Sequence, residues 1–102
     1  MIITHKKKLL LFYSSFFFIC SQHPNITALY GVAQRDGALL LVMEFVNRGE
    51  FYPLLKDKNI KWPWPKRVKA AHEVASALAL VHSKGLMHRD IKSENLLVAE
   101  NW

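Results

Sequence analysis

Gly85-Leu86-Met87-His88-Arg89-Asp90-Ile91-Lys92-Ser93-Glu94-Asn95-Leu96-Leu97-Val98 is the stretch on which the reading of the fold turns. Before it, Lys66–Ser83 has the pattern of a helix, with Val68, Ala71, Ala75, Leu78 and His82 recurring on one face. Lys84 suits the negative end of that helix, and Gly85 supplies a left-handed cap. Leu86–Glu94 then reads as a loop and Leu96–Val98 as a short strand. A loop carboxylate such as Asp90 can accept the proton of an attacking hydroxyl. Lys92, two residues on in extended backbone, points to the same side and can balance charge on a transferring phosphoryl group. Asn95 offers a neutral oxygen to a hard cation such as magnesium. Taken singly each has a plainer reading: Asp90 and Asn95 as turn residues, Lys92 as a solvated surface lysine.

Working toward the amino terminus, Lys61–Pro65 is a Trp/Pro-rich loop, and Pro65 fits the first helical position, where its missing N–H costs nothing. Glu50–Lys58 is a short helix candidate, with Pro53 tolerable only in the first turn. Asn47-Arg48-Gly49 breaks the preceding strand. Ala38–Val46 is a near-continuous apolar run, read as a buried strand from its length and flanking turn. Arg35-Asp36-Gly37 is a turn signal, and Ile26–Ala33 a partner strand, so the two form an antiparallel hairpin. His23-Pro24-Asn25 is a loop. The predicted order is strand, strand, short helix, long helix, loop, strand, an α+β arrangement.

The chain has 102 residues, 51% of them hydrophobic and 22% charged, which excludes a disordered or fibrous composition and leaves room for one small domain. A single cysteine, Cys20, excludes a disulfide scaffold and a cysteine-based zinc cage. The net charge of +6 is uneven. Residues 1–22 hold Lys6, Lys7 and Lys8 and no acid, and a second basic cluster gathers at Lys61, Lys66, Arg67 and Lys69. That cluster lacks the interleaved aromatic stripe of a nucleic-acid surface and is read as a solvated helix start, with no nucleic-acid partner expected. Residues 1–22 differ from the rest: a basic stub precedes the apolar run Leu9–Cys20, as in a secretory signal, but Phe18 and Ile19 are bulky where a cleavage site needs small residues. Three readings stand for this segment: a cleaved signal, a membrane-dipping anchor through residues 1–20, or a gene-model artefact. Asn25-Ile26-Thr27 is a glycosylation sequon that matters only in a secreted chain.

His88-Arg89-Asp90-Ile91-Lys92-Ser93-Glu94-Asn95 resembles the catalytic loop of protein kinases, H-R-D-x-K-x-x-N. The neighbourhood agrees. His23-Pro24-Asn25-Ile26 is similar to the segment entering the fourth strand of the kinase small lobe, and Leu41–Val46 to its fifth strand and hinge. The run Val81–Asp90 with the Lys-Ser-Glu-Asn ending looks most like the tyrosine-kinase-like group of serine/threonine kinases. The resemblance spans 23–102 and implies a partial kinase fold: the end of the small lobe, the hinge, and the first helices and catalytic loop of the large lobe. It implies ATP and Mg2+ as ligands of the parent domain, a protein substrate with a serine or threonine hydroxyl, and a cytoplasmic location. Asp90 and Lys92 take the catalytic roles and Asn95 the metal. Met43 becomes the gatekeeper, the backbone of Glu44 and Val46 meets the adenine edge, Glu50 sits near the ribose, and Leu97 floors the adenine pocket. For Met43 and Leu97 ordinary core packing is the competing reading.

Several parts of the family pattern do not occur in these 102 residues. Gly31, Gly37, Gly49 and Gly85 have no glycine-rich-loop spacing. No Ala-x-Lys strand precedes His23, no glutamate lies in residues 1–22, and no aspartate follows Asn95. Phosphoryl transfer depends on positioning and charge neutralisation, so the isolated chain is expected to be inactive. Leu39, Leu41, Leu78 and Trp64 are expected to lack packing partners. Two alternatives to a serine/threonine kinase fragment remain at this point: a non-catalytic, pseudokinase-like interaction module, and a small secreted or membrane-associated protein.

Overall fold

The computed structural model describes residues 2–3 and 23–102. The expectations for Leu9–Cys20, signal-like or membrane-contacting, lie outside the described residues. The elements in chain order are β1 (Ile2–Ile3), β2 (Leu29–Arg35), β3 (Ala38–Met43), α1 (Phe51–Lys56), α2 (Trp64–Ser83), a 3-10 turn (Ser93–Asn95) and β4 (Leu96–Leu97). Strands β2 and β3 pair antiparallel from Leu29↔Met43 to Arg35↔Ala38. Asp36 and Gly37 close the hairpin with φ of +51° and +76°, the two left-handed residues that a tight turn matching strand twist requires. Strand β4 pairs antiparallel with β1, Ile2↔Leu97 and Ile3↔Leu96.

The strand edges differ from the sequence expectation at both ends. Ile26 and Thr27 are buried but precede β2, which starts only at Leu29. The register slips between Leu29 and Gly31. At the far end β3 stops at Met43 and 44–46 form an irregular linker. The Glu44 carboxylate causes part of this: its Oε2 accepts the Ala28 N–H at 3.1 Å, while the Glu44 N–H donates to Ala28 O at 2.8 Å. The short helix ends at Lys56, two residues early, where Asp57 turns back to accept the Asn59 N–H through its side chain.

Helix α2 is the spine of the described fold. It starts two residues before the expected Lys66, with Pro65 in its opening turn. Its end is a Schellman motif: the Gly85 N–H donates to His82 O at 2.9 Å and the Leu86 N–H to Val81 O at 3.2 Å, with Gly85 at φ +71°. The buried face is not the predicted one. Ala77 and Val81 are buried, with Ala70, Val74, Leu78 and Leu80 packed partly against the same core. Val68, Ala71, Ala75 and His82 are exposed. The helix is thus turned by about one residue, roughly 100°. Alanines flank both faces, so the apolar pattern alone does not single out one of them.

The core gathers Ile26, Leu29, Ala77, Val81, Leu96 and Val98. His23 anchors the loop before β2 to the helix. Its Nδ1 accepts the Asn25 N–H at 3.0 Å, which leaves Nε2 to carry the proton and donate to Ser76 Oγ at 3.1 Å. A second cluster stacks Phe51, Trp62 and Trp102, with ring centroids 5.0 Å apart for Phe51–Trp62 and 5.6 Å for Trp62–Trp102. The Trp102 indole donates to Glu73 Oε2 at 2.7 Å, and Lys69 Nζ lies 3.7 Å from Glu73 Oε1. Burial acts to raise the Glu73 pKa, but hydrogen-bonding and cationic neighbours, Trp102 and Lys69 among them, hold it below its ordinary value. The hairpin is poorly covered: Leu39, Leu40 and Val42 are exposed, as are Phe45 and, at 74%, Trp64, in line with the expectation for Leu39 and Trp64, whereas Leu41 and Leu78, also expected to lack partners, pack partly against the core.

Two predictions follow from this packing. Ala77→Leu overpacks the buried face and lowers unfolding stability by about 1–3 kcal/mol, whereas Ala71→Leu on the open face changes it by less than about 0.5 kcal/mol; urea titrations of both variants test the rotation of α2. The depressed Glu73 pKa contributes stability above the unfolded carboxylate value, and this is lost as pH falls through the lower folded value. Glu73→Gln is expected to flatten the acid limb of a pH–stability profile.

Candidate active site

The loop after α2 is held by its own side chains. The Asp90 N–H donates to His88 Nδ1 at 3.2 Å. Arg89 between them adopts φ +62°, a left-handed backbone that costs a non-glycine residue about 1–3 kcal/mol and tends to mark functional loops. Lys92 is extended, at φ −159° and ψ 162°, and caps the 3-10 turn that carries Asn95. The Asn95 N–H closes that turn on Lys92 O at 2.9 Å. The turn agrees with the plainer reading of Asn95 as a turn residue, and it begins at Ser93, inside the Leu86–Glu94 stretch expected as a loop.

Asn95 is only 3% exposed. Its Nδ2 donates to the Asp90 backbone oxygen and to Asp90 Oδ2, both at 2.9 Å. Lys92 Nζ lies 3.6 Å from Asp90 Oδ1, and both side chains are half exposed. The two carboxylate oxygens are thereby divided, one held by a buried amide and the other facing an ammonium in solvent. The structure brings Asp90, Lys92 and Asn95 into one constellation. With Nδ2 committed to Asp90, Asn95 Oδ1 accepts no hydrogen bond among the described residues. An unpartnered acceptor on a buried side chain is unusual, and a neutral oxygen suits a magnesium ion. Among the described residues no group of three or more His, Cys, Asp or Glu could hold a metal by itself.

The predicted nucleotide-contacting residues lie along the connection from β3 to α1. Met43 ends β3, opposite Leu29, and packs partly against the core. Val46 is 8% exposed, and its carbonyl accepts the Gly49 N–H at 3.1 Å. Among the described residues the Glu44 carbonyl and the Val46 N–H have no hydrogen-bond partner. Glu50 forms an isolated bridge with Leu97, and the Val98 N–H donates to Gly49 O at 2.9 Å. Glu50 and Leu97 are therefore adjacent, with the linker tied to β4. Two open grooves of about 420 and 400 Å³ lie elsewhere, against α1 and α2, and neither is lined by any predicted site residue.

The protein kinase domain model matches residues 16–102. The chain is 44% identical over 80 residues to a probable serine/threonine-protein kinase of Dictyostelium discoideum, a match covering 78% of this chain and 9% of that protein. A second probable serine/threonine-protein kinase of the same organism is 42% identical over 80 residues, covering 78% and 19%. Dual specificity testis-specific protein kinase 2 of Homo sapiens is 42% identical over 76 residues, covering 74% and 13%. The chain spans less than a fifth of the length of these relatives.

The geometry ranks two substitutions. Asn95→Leu removes both hydrogen bonds from the buried Asn95 amide to Asp90 and costs about 1–3 kcal/mol in unfolding stability. Lys92→Met removes only a half-exposed ion pair and costs less than about 1 kcal/mol. Urea denaturation of the two variants checks the order.

Proposed function

The chain belongs to the protein kinase domain family, and from that premise we propose that residues 23–102 supply the hinge and catalytic loop of a serine/threonine protein kinase. The observation that carries the proposal is the division of the Asp90 carboxylate between Asn95 Nδ2 at 2.9 Å and Lys92 Nζ at 3.6 Å. Asp90 acts as the base. It takes the proton of a serine or threonine hydroxyl as that oxygen attacks the terminal phosphorus of ATP and the bond to the departing ADP breaks. Lys92, solvent-facing and extended, balances negative charge on the transferring group. A lysine rather than alanine or arginine here favours serine and threonine over tyrosine as acceptors. Asn95 does two jobs on this reading: its amide nitrogen orients Asp90, and its Oδ1 offers a ligand to Mg2+, which when bound neutralises phosphate charge.

The spare Glu44 carbonyl and Val46 N–H are one acceptor and one donor on the linker, the complement of an adenine edge. Met43 and Leu97 supply apolar contact, and Glu50, beside Leu97, a carboxylate for ribose hydroxyls. The proposal assigns phosphoryl transfer to a domain containing these residues together with a glycine-rich loop and a phosphate-pairing lysine, neither of which occurs in residues 1–102. It includes a cytoplasmic location, where ATP is at hand and a lone Cys20 stays reduced.

Incubation with radiolabelled ATP and a serine-rich acceptor protein tests this. The 102-residue chain is expected to give background transfer. The parent protein carrying residues 23–102 is expected to give transfer that Asp90→Ala lowers by about 100-fold or more. Transfer by the parent that survives Asp90→Ala would refute the assignment.

A further inference from the structure

The larger of the two grooves lies between α1 and the start of α2, and no predicted site residue lines it. It has a volume of about 420 Å³ and is lined by Phe51, Leu55, Trp62, Lys66, Arg67 and Ala70. Its floor is apolar and built. The Trp62 indole donates to Leu54 O at 3.2 Å and meets Phe51 edge-on, with interplanar angle 80°. The Arg67 Nε donates to Trp62 O at 2.7 Å, fixing the loop to the helix. Leu55 on the groove wall is 45% exposed.

Two of its lining residues, Lys66 and Arg67, are cations without a carboxylate neighbour among the described residues, in a stretch of chain that is itself basic. Between residues 56 and 69 stand Lys56, Lys58, Lys61, Lys66, Arg67 and Lys69 against the single acid Asp57. The cations lie on rings: Lys66 Nζ is 6.0 Å from the Trp62 centroid, and the Arg67 guanidinium carbon 5.2 Å from that of Trp64. Such contacts hold a cation in place without cancelling its charge. In this stretch only Lys69 has a carboxylate neighbour among the described residues, Glu73.

We propose that this groove is a docking site for an acidic peptide segment that carries one apolar anchor side chain. The anchor enters between Phe51, Leu55 and Ala70, and carboxylates on either side of it meet Lys66 and Arg67. Charge complementarity fixes the sign of the partner, and the narrow apolar floor fixes the need for an anchor. A nucleic acid suits the surface less well. The indole that lines the groove, Trp62, is covered by Phe51, Trp102 and Lys66, and Trp64, 74% exposed, is not among the lining residues, so the groove itself offers no bare indole face on which a base could stack. None of Met43, Glu44, Val46, Glu50, Asp90, Lys92, Asn95 or Leu97 lines the groove, so the proposal stands apart from the catalytic one.

The test is fluorescence anisotropy of the full 102-residue chain with three labelled peptides: one with a central leucine among glutamates, one with that leucine among glutamines, and an all-glutamate peptide. The first is expected to bind at least about tenfold more tightly than the second at low salt, with the advantage shrinking as salt rises. Lys66→Glu with Arg67→Glu is expected to cost about tenfold or more with the far-ultraviolet circular dichroism unchanged. Should that pair disturb the helix, Lys66→Gln with Arg67→Gln replaces it and must still weaken binding. Leu55→Gln is expected to weaken the first peptide and to leave the all-glutamate peptide unaffected. Equal binding of the two leucine peptides, binding retained after both cations are removed, or tighter competing binding by single-stranded RNA would each overturn the proposal.

Discussion

The hydrogen bonds from the Asn95 amide to Asp90 are the interaction on which the rest of the site depends. A side chain only 3% exposed donates to both the backbone and the carboxylate of a residue five positions earlier. That pair sets the loop, and the chain then runs directly into the core: Leu96 and Val98 are buried, and Val98 binds back to Gly49. The linker from β3, the start of α1 and the loop carrying Asp90 are therefore joined through one short run, Asn95–Val98. Losing the amide would release the carboxylate from its orientation and remove two hydrogen bonds at once, one to the Asp90 backbone oxygen and one to its side chain.

Much of this arrangement was legible in the sequence because its signals are local. Asp36-Gly37 specifies a left-handed pair and hence the hairpin. Lys84-Gly85 specifies the end of α2, and the spacing of Asp90, Lys92 and Asn95 places them within one loop and turn. What failed to read out depends on partners distant in sequence. The buried face of α2 is chosen by Ile26, Leu29, Leu96 and Val98, not by its own pattern, since small alanines stand on both sides. The end of β3 at Met43 depends on Glu44 capturing the Ala28 N–H. The Trp62–Trp102–Glu73 cluster joins three elements, and no residue in it carries a local signature.

The described residues leave two kinds of surface uncovered. Leu39, Leu40 and Val42 on the hairpin and Ala71 and Ala75 on α2 are exposed and apolar, the character of surfaces that bury against further structure. The groove at Lys66 and Arg67 is different: apolar at its base, cationic at its edge, and held open by ring contacts. Both grooves share Phe51 and Ala70, so the junction of α1 with α2 underlies them and, through the Glu50–Leu97 bridge, adjoins the end of the linker.

The central claim is that Asn95, Asp90 and the 44–46 linker form the two ends of one nucleotide site. Paramagnetic broadening in the nitrogen-15 NMR spectrum of the chain, with Mn2+ and a non-hydrolysable ATP analogue added together, tests it most directly. The account predicts strongest broadening at the Asn95 side-chain amide and the Asp90 and Leu96 backbone amides, with a shift of the Val46 amide that needs the nucleotide but not the metal. Broadening centred on Glu73 or Asp57, or a Val46 resonance indifferent to nucleotide, would contradict it.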